Sequence, residues 1–199
     1  MLSRSTLKSL LTASLIICSF QISNAQNDAA VLGFTALQGQ ANALVEEGKL
    51  IEAMPLLKEL VKRVEASDNS EIKLDFPIFL IGTAHIQQYV ASKQTNELSE
   101  ALLWYDRLEK EFPNSPKIKD MLLKRIEVLR ALSKNDEAID LMQKILSGSY
   151  RNVRLSQSEQ TKLLKDLTQI YYGTGQLSAG LPYFGQLFQI ARDPEDQAL

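Results

Sequence analysis

One cysteine and one histidine occur in 199 residues. That excludes a disulfide framework and leaves almost nothing for a zinc site, which draws about four nitrogen or sulfur ligands. An excess of charge is also lacking, with 22 Lys and Arg against 24 Asp and Glu for a net charge of -2. Without a basic surplus there is no electrostatic footprint for gripping the phosphates of a nucleic acid. HExxH, GxSxG and CxxC are all missing. His85, the lone histidine, has no nucleophile motif beside it, so it is expected as a groove-lining or packed residue. No stretch alternates apolar and polar residues between turn signals, which argues against a sheet. What remains is an ordinary core-forming composition, 45% hydrophobic and 23% charged, read as a non-enzyme without cofactor or metal.

The N-terminus supplies an address. Arg4 and Lys8 precede an apolar core from Leu10 to Phe20, and Ser23 and Ala25 are small residues three and one before a cut. That is the layout of a secretory signal peptide over 1–25, cleaved after Ala25 to leave a mature domain over 26–199. A transmembrane anchor would need roughly 20 apolar residues; this core is shorter and carries Thr12, Ser14 and Ser19. A lipid anchor on Cys18 is a further alternative, but Ile17 is bulky where a lipoprotein signal wants a small residue. The expectation is an exported protein, periplasmic or secreted and open to envelope association, with no membrane insertion after cleavage. Loss of Cys18 with the leader would make the mature chain thiol-free, which suits an oxidising compartment.

Beyond Ala25 apolar residues recur every three or four positions, as in Leu37, Ala41 and Leu44, or Leu57, Leu60, Val61 and Val64. Gly and Pro punctuation then divides the chain into about eight helices. The first spans roughly 30–47 and ends at Gly48; the second starts near Ile51, so that Pro55 stays close to its beginning. A polar turn follows at 67–70, and Asp75 is expected to cap a third helix with Pro77 in its first turn. The fourth runs from Glu97 to Phe112. Ser115-Pro116 reads as the start of a fifth helix reaching Ser133, and Asn135 begins a sixth that ends near Gly148. Ser156 and Glu159 have capping-box spacing for a seventh, which stops at 173–175; the eighth ends near Ala191.

The chain also matches itself. Gly48, Leu50, Ala53, Pro55, Leu57 and Leu60 align without a gap to Gly175, Leu177, Gly180, Pro182, Phe184 and Leu187, an offset of 127 residues. A fixed offset is the mark of a repeat architecture. At these residues the chain resembles the tetratricopeptide repeat (TPR) family, whose unit is a helix–turn–helix with a small residue on each helix where the two touch. Ala41 and Ala53, Gly82 and Ala101, Ala138, and Gly180 take those places, and Pro113 stands where the family ends a hairpin. The second-helix small residues step by 48, 37 and 42, against a family period of about 34, so the connections are irregular. Ile126 stands where the third hairpin would have a small residue.

The resemblance implies an all-α fold, a TPR-like right-handed α-solenoid of about four helical hairpins over residues 30–192. It further implies a concave groove, lined by first helices, that holds a peptide or protein partner of unknown identity. By helical face, the groove candidates are Gln38, Asn42, Phe79, Thr83, Glu127, Arg130, Lys165, Gln169 and Tyr172. Trp104, Tyr105 and Tyr171 are expected to pack between hairpins instead. Gln38 and Val45 occupy positions where carboxylate-clamping members carry Lys and Asn, so a clamp for a chain terminus is not expected. The resulting expectation is a non-catalytic interaction scaffold of the cell envelope. The alternative is a structural or tethering subunit, the N-terminal part of a larger envelope TPR assembly, since the sequence reaches Leu199 without a capping helix after the last hairpin.

Overall fold

The computed structural model describes residues 33–67 and 72–191. The leader over 1–25 and most of the turn at 67–70 fall outside the described residues. The chain separates into two compact units, Met1–Lys117 and Ile118–Leu199. Among the described residues all regular structure is helical, and no helix is long and apolar enough to cross a membrane.

The first unit holds α1 (Phe34–Glu46), α2 (Leu50–Ser67), α3 (Asp75–Ser92) and α4 (Asn96–Glu111), each packed on the next. Gly48 adopts φ +75°, and beyond it the Lys49 amide donates to the Leu44 carbonyl at 2.8 Å, which closes α1 with a left-handed turn. Pro55 lies six residues into α2, near enough to the start for the helix to continue through it. Asp75 does not cap α3: it is the first helical residue, and its carboxylate accepts a hydrogen bond from the Ser115 hydroxyl at 2.6 Å. At the hairpin contact, Gly82 of α3 leaves room for the buried Tyr105 ring, and a Cβ built there would come within 2.8 Å of Tyr105 Cδ1. Ala41, Ala53 and Ala101 are buried, as small residues at close helix contacts should be. Lys58 of α2 and Arg107 of α4 both lie over the half-buried Trp104 ring, so this aromatic joins the two hairpins.

The second unit holds α5 (Ile118–Ala131), α6 (Asn135–Leu146), α7 (Gln157–Gly173) and α8 (Leu177–Ala191). The Ser115-Pro116 start lies two residues early. Residues 116–117 form a turn before α5, and Ser115 Oγ accepts the Lys117 amide at 3.1 Å. The capping box of α7 is formed as expected: the Glu159 amide donates to Ser156 Oγ and the Ser156 amide to the Glu159 carboxylate. The Ser156 amide, joined by Lys119 and the Ser156 hydroxyl, holds the Glu159 carboxyl down at about 2. Ile126 is buried in α5 where a small residue was expected. In the last hairpin Gly180 lies against Tyr171 and Phe184, and the Tyr171 and Tyr183 rings stack 5.9 Å apart. Gln143 of α6 donates to the Tyr171 hydroxyl at 2.8 Å, tying the third hairpin to the fourth.

The internal repeat extends to individual bonds. Gly175 has φ +73°, the Gln176 amide donates to the Tyr171 carbonyl at 2.9 Å, and Pro182 again lies six residues into its helix. The other two hairpins turn the same way without glycine, at Lys93 (φ 60°) and Ser133 (φ 57°).

Candidate functional site

The first unit contains a cavity of about 390 Å³. Its lining runs from the buried Leu57, Leu60 and Leu80, which make an apolar floor, to Val45, Phe76 and the charged Glu46 and Lys73. Gln38 and Asn42, one turn apart on α1, bring two side-chain amides to this floor. Each amide has donor and acceptor groups suited to the backbone of an extended peptide, while the leucines suit its apolar side chains. Lys117 Nζ stands 5.2 Å above the Phe76 ring and 5.7 Å from the Phe79 ring, placing a positive charge over these aromatics.

Phe79 and Thr83, the α3 candidates, are placed elsewhere. Phe79 is buried with its ring stacked on Tyr105, centroids 6.3 Å apart. Thr83 donates to the Phe79 carbonyl at 3.0 Å and its hydroxyl pairs with Tyr105 OH at 3.3 Å. Both serve the contact between α3 and α4, while Phe76 and Leu80, which helical spacing had not singled out, line the cavity instead. Phe76 and Leu80 lie about 60–100° around α3 from Phe79, a sixth to just over a quarter of a turn.

The second unit has its own cavity, about 450 Å³, lined by Glu127, Arg130, Asn135, Gln169 and Ile170. Three of the candidate residues therefore meet here. They are held by charge pairs between α5 and α7: Lys119 to Glu159 at 2.9 Å, Lys162 to Glu127 at 3.1 Å, and Arg130 to Asp166 at 2.7 Å. Arg130 also donates to the Gln169 side chain at 3.3 Å. The partners Glu159, Lys162 and Asp166 were invisible to a reading that took α5 and α7 separately. Lys165 is exposed, and Tyr172 is 73% exposed on the last turn of α7.

His85 is buried beside the first cavity's helices, sharing a 2.6 Å hydrogen bond from Nδ1 to Glu97 Oε2. Burial pushes its imidazole below the ordinary value and outweighs the upward pull of Glu97. The same burial lowers Lys58, next to the Trp104 ring. Among the described residues no group of three or more His, Cys, Asp or Glu could hold a metal ion.

No family model and no curated protein matches this sequence. Solved structures do match. A MamA double mutant (MamA RS-1 ArsTM) shares 17% identity at a TM-score of 0.55, covering 81% of this chain and 76% of its own. A putative kinesin light chain from Podosopora anserina with nearly identical TPR-like repeats shares 17% identity at 0.53, covering 87% of this chain and 85% of its own. A variant of that second protein matches at the same TM-score, with 84% of its chain covered. At such identities the likeness speaks for the fold alone. The chain has an all-α, TPR-like fold.

Proposed function

We propose that this protein is a non-catalytic interaction scaffold of the cell envelope, and that its first unit grips an apolar, extended segment of a partner protein. The observation that carries the reading is the α1–α3 cavity, where two amide side chains stand over a leucine floor. Proteins with TPR-like folds are in general interaction scaffolds, which supports the coarse form of the proposal. The envelope location rests on the leader-like residues 1–25.

Cross-linking in envelope extract, followed by mass spectrometry, tests the reading. The wild-type chain should capture one dominant partner, and Gln38→Ala combined with Asn42→Arg should lose it while helicity is unchanged. Capture that survives this pair of substitutions would remove the cavity from the proposal. N-terminal sequencing of the exported protein should begin at Gln26; an acylated Cys18 at the N-terminus would contradict the leader assignment.

A further inference from the structure

α8 carries no charged residue from Leu177 to Ala191, and beside the exposed polar Ser178, Gln186 and Gln189 it presents exposed large apolar side chains. Leu177, Leu181 and Phe188 are 49%, 65% and 61% exposed, and they fall along one stripe of the helix with the half-buried Phe184. An exposed apolar surface of this kind is usually an interaction site.

The chain itself shows what covers such a surface. α8 is the counterpart of α2 at the 127-residue offset, so Phe188 corresponds to Val61, Leu181 to Met54 and Leu177 to Leu50. Val61 is 2% exposed and Met54 and Leu50 are half-buried, because α2 is followed by a hairpin whose first helix, α3, packs on it. α3 has its own counterpart in α1 at an offset of 41 residues. Leu37 and Ile78 are both buried in that register, as are Ala41 and Gly82. The α3 residues Pro77, Leu80 and Ala84 are buried, whereas their α1 equivalents Ala36, Gly39 and Ala43 are exposed. A Cβ added at Gly39 would meet nothing within 4 Å. So α8 exposes large side chains where α2 is covered, and α1 exposes small ones where α3 does the covering. Neither face carries a charge, so the net negative charge of the chain opposes their approach only weakly.

We infer that α8 docks on α1 of a second copy of this chain, which takes the place that α3 takes on α2. The two faces differ, so the contact is heterologous and each copy keeps one face of each kind for further copies.

Light scattering after size exclusion, run on the full exported chain over a concentration series, tests this. Wild type should grow from monomer to open-ended oligomers as concentration rises. Leu181→Glu and Ala43→Glu should each be monomeric with unchanged helicity. A mixture of the two variants should form dimers and nothing longer, because one intact face remains on each. A wild-type chain that stays monomeric at high concentration would leave the α8 face to a different protein and overturn the inference. Association that survives either substitution, or a mixture that stays monomeric, would overturn it as well. Since neither substitution touches the α1–α3 cavity, partner capture should persist in both variants.

Discussion

Gly82 is the residue on which the second hairpin turns, because any Cβ there runs into the ring of Tyr105. Gly82→Ala should cost about 1–3 kcal/mol, the range for forcing a methyl group into a packed contact, read as a lower urea midpoint at unchanged slope. Ser133 presents the opposite case. It holds φ 57° at a turn where two of the other hairpins use glycine, so Ser133→Gly should raise stability by about 0.5–1 kcal/mol in the same assay. His85 adds a dependence on pH. Its folded value lies below the ordinary 6.5, so the unfolded chain binds the proton more readily. Its contribution is therefore complete above 6.5 and is lost as pH falls toward the folded value. Glu97 and Glu100 pull the ring up and Lys58 pushes it down, but burial outweighs them. The urea midpoint should fall as pH drops below about 6.5, and His85→Gln should flatten that slope.

At the scale of elements, the cap of α7 is the most exposed dependency. Ser156→Ala removes one half of the capping box and should cost about 1 kcal/mol of stability. It should also change acid behaviour. Glu159 is held at about 2 against an ordinary 4.5, so its contribution is complete above 4.5 and lost as pH falls toward 2; the variant should lose less over that interval. Most helix ends were legible in the sequence because Gly48, Gly148 and Gly175 announce left-handed turns and Ser156 with Glu159 announces a start. Lys93 and Ser133 also take positive φ without announcing it, since neither residue type favours that conformation. The candidate site divides along similar lines. α1 has two faces that differ in polarity, so Gln38 and Asn42 could be assigned from spacing. α3 buries Pro77 through Gly82 without interruption, leaving no polar boundary from which to read its phase, and Phe79 and Thr83 went to the hairpin contact while Phe76 and Leu80 went to the cavity. Spacing names Arg130 as a groove candidate, but its pairing with Asp166 is visible only with α5 and α7 side by side.

For the molecule as a whole, the account rests on repeats that cannot bury their apolar faces alone. Where a following hairpin packs on it, as α3 does on α2, Val61 is buried, whereas Leu177 and Leu181 of α8 are exposed. In the first unit the α1–α3 cavity brings the Gln38 and Asn42 amides together with buried leucines. The most direct test places a photo-crosslinking amino acid at Asn42 on the cavity rim and, separately, at Leu103, which is exposed on α4. A discrete adduct with a partner protein is expected from Asn42 and none from Leu103. An adduct from Leu103 with none from Asn42 would contradict the proposed role of the cavity.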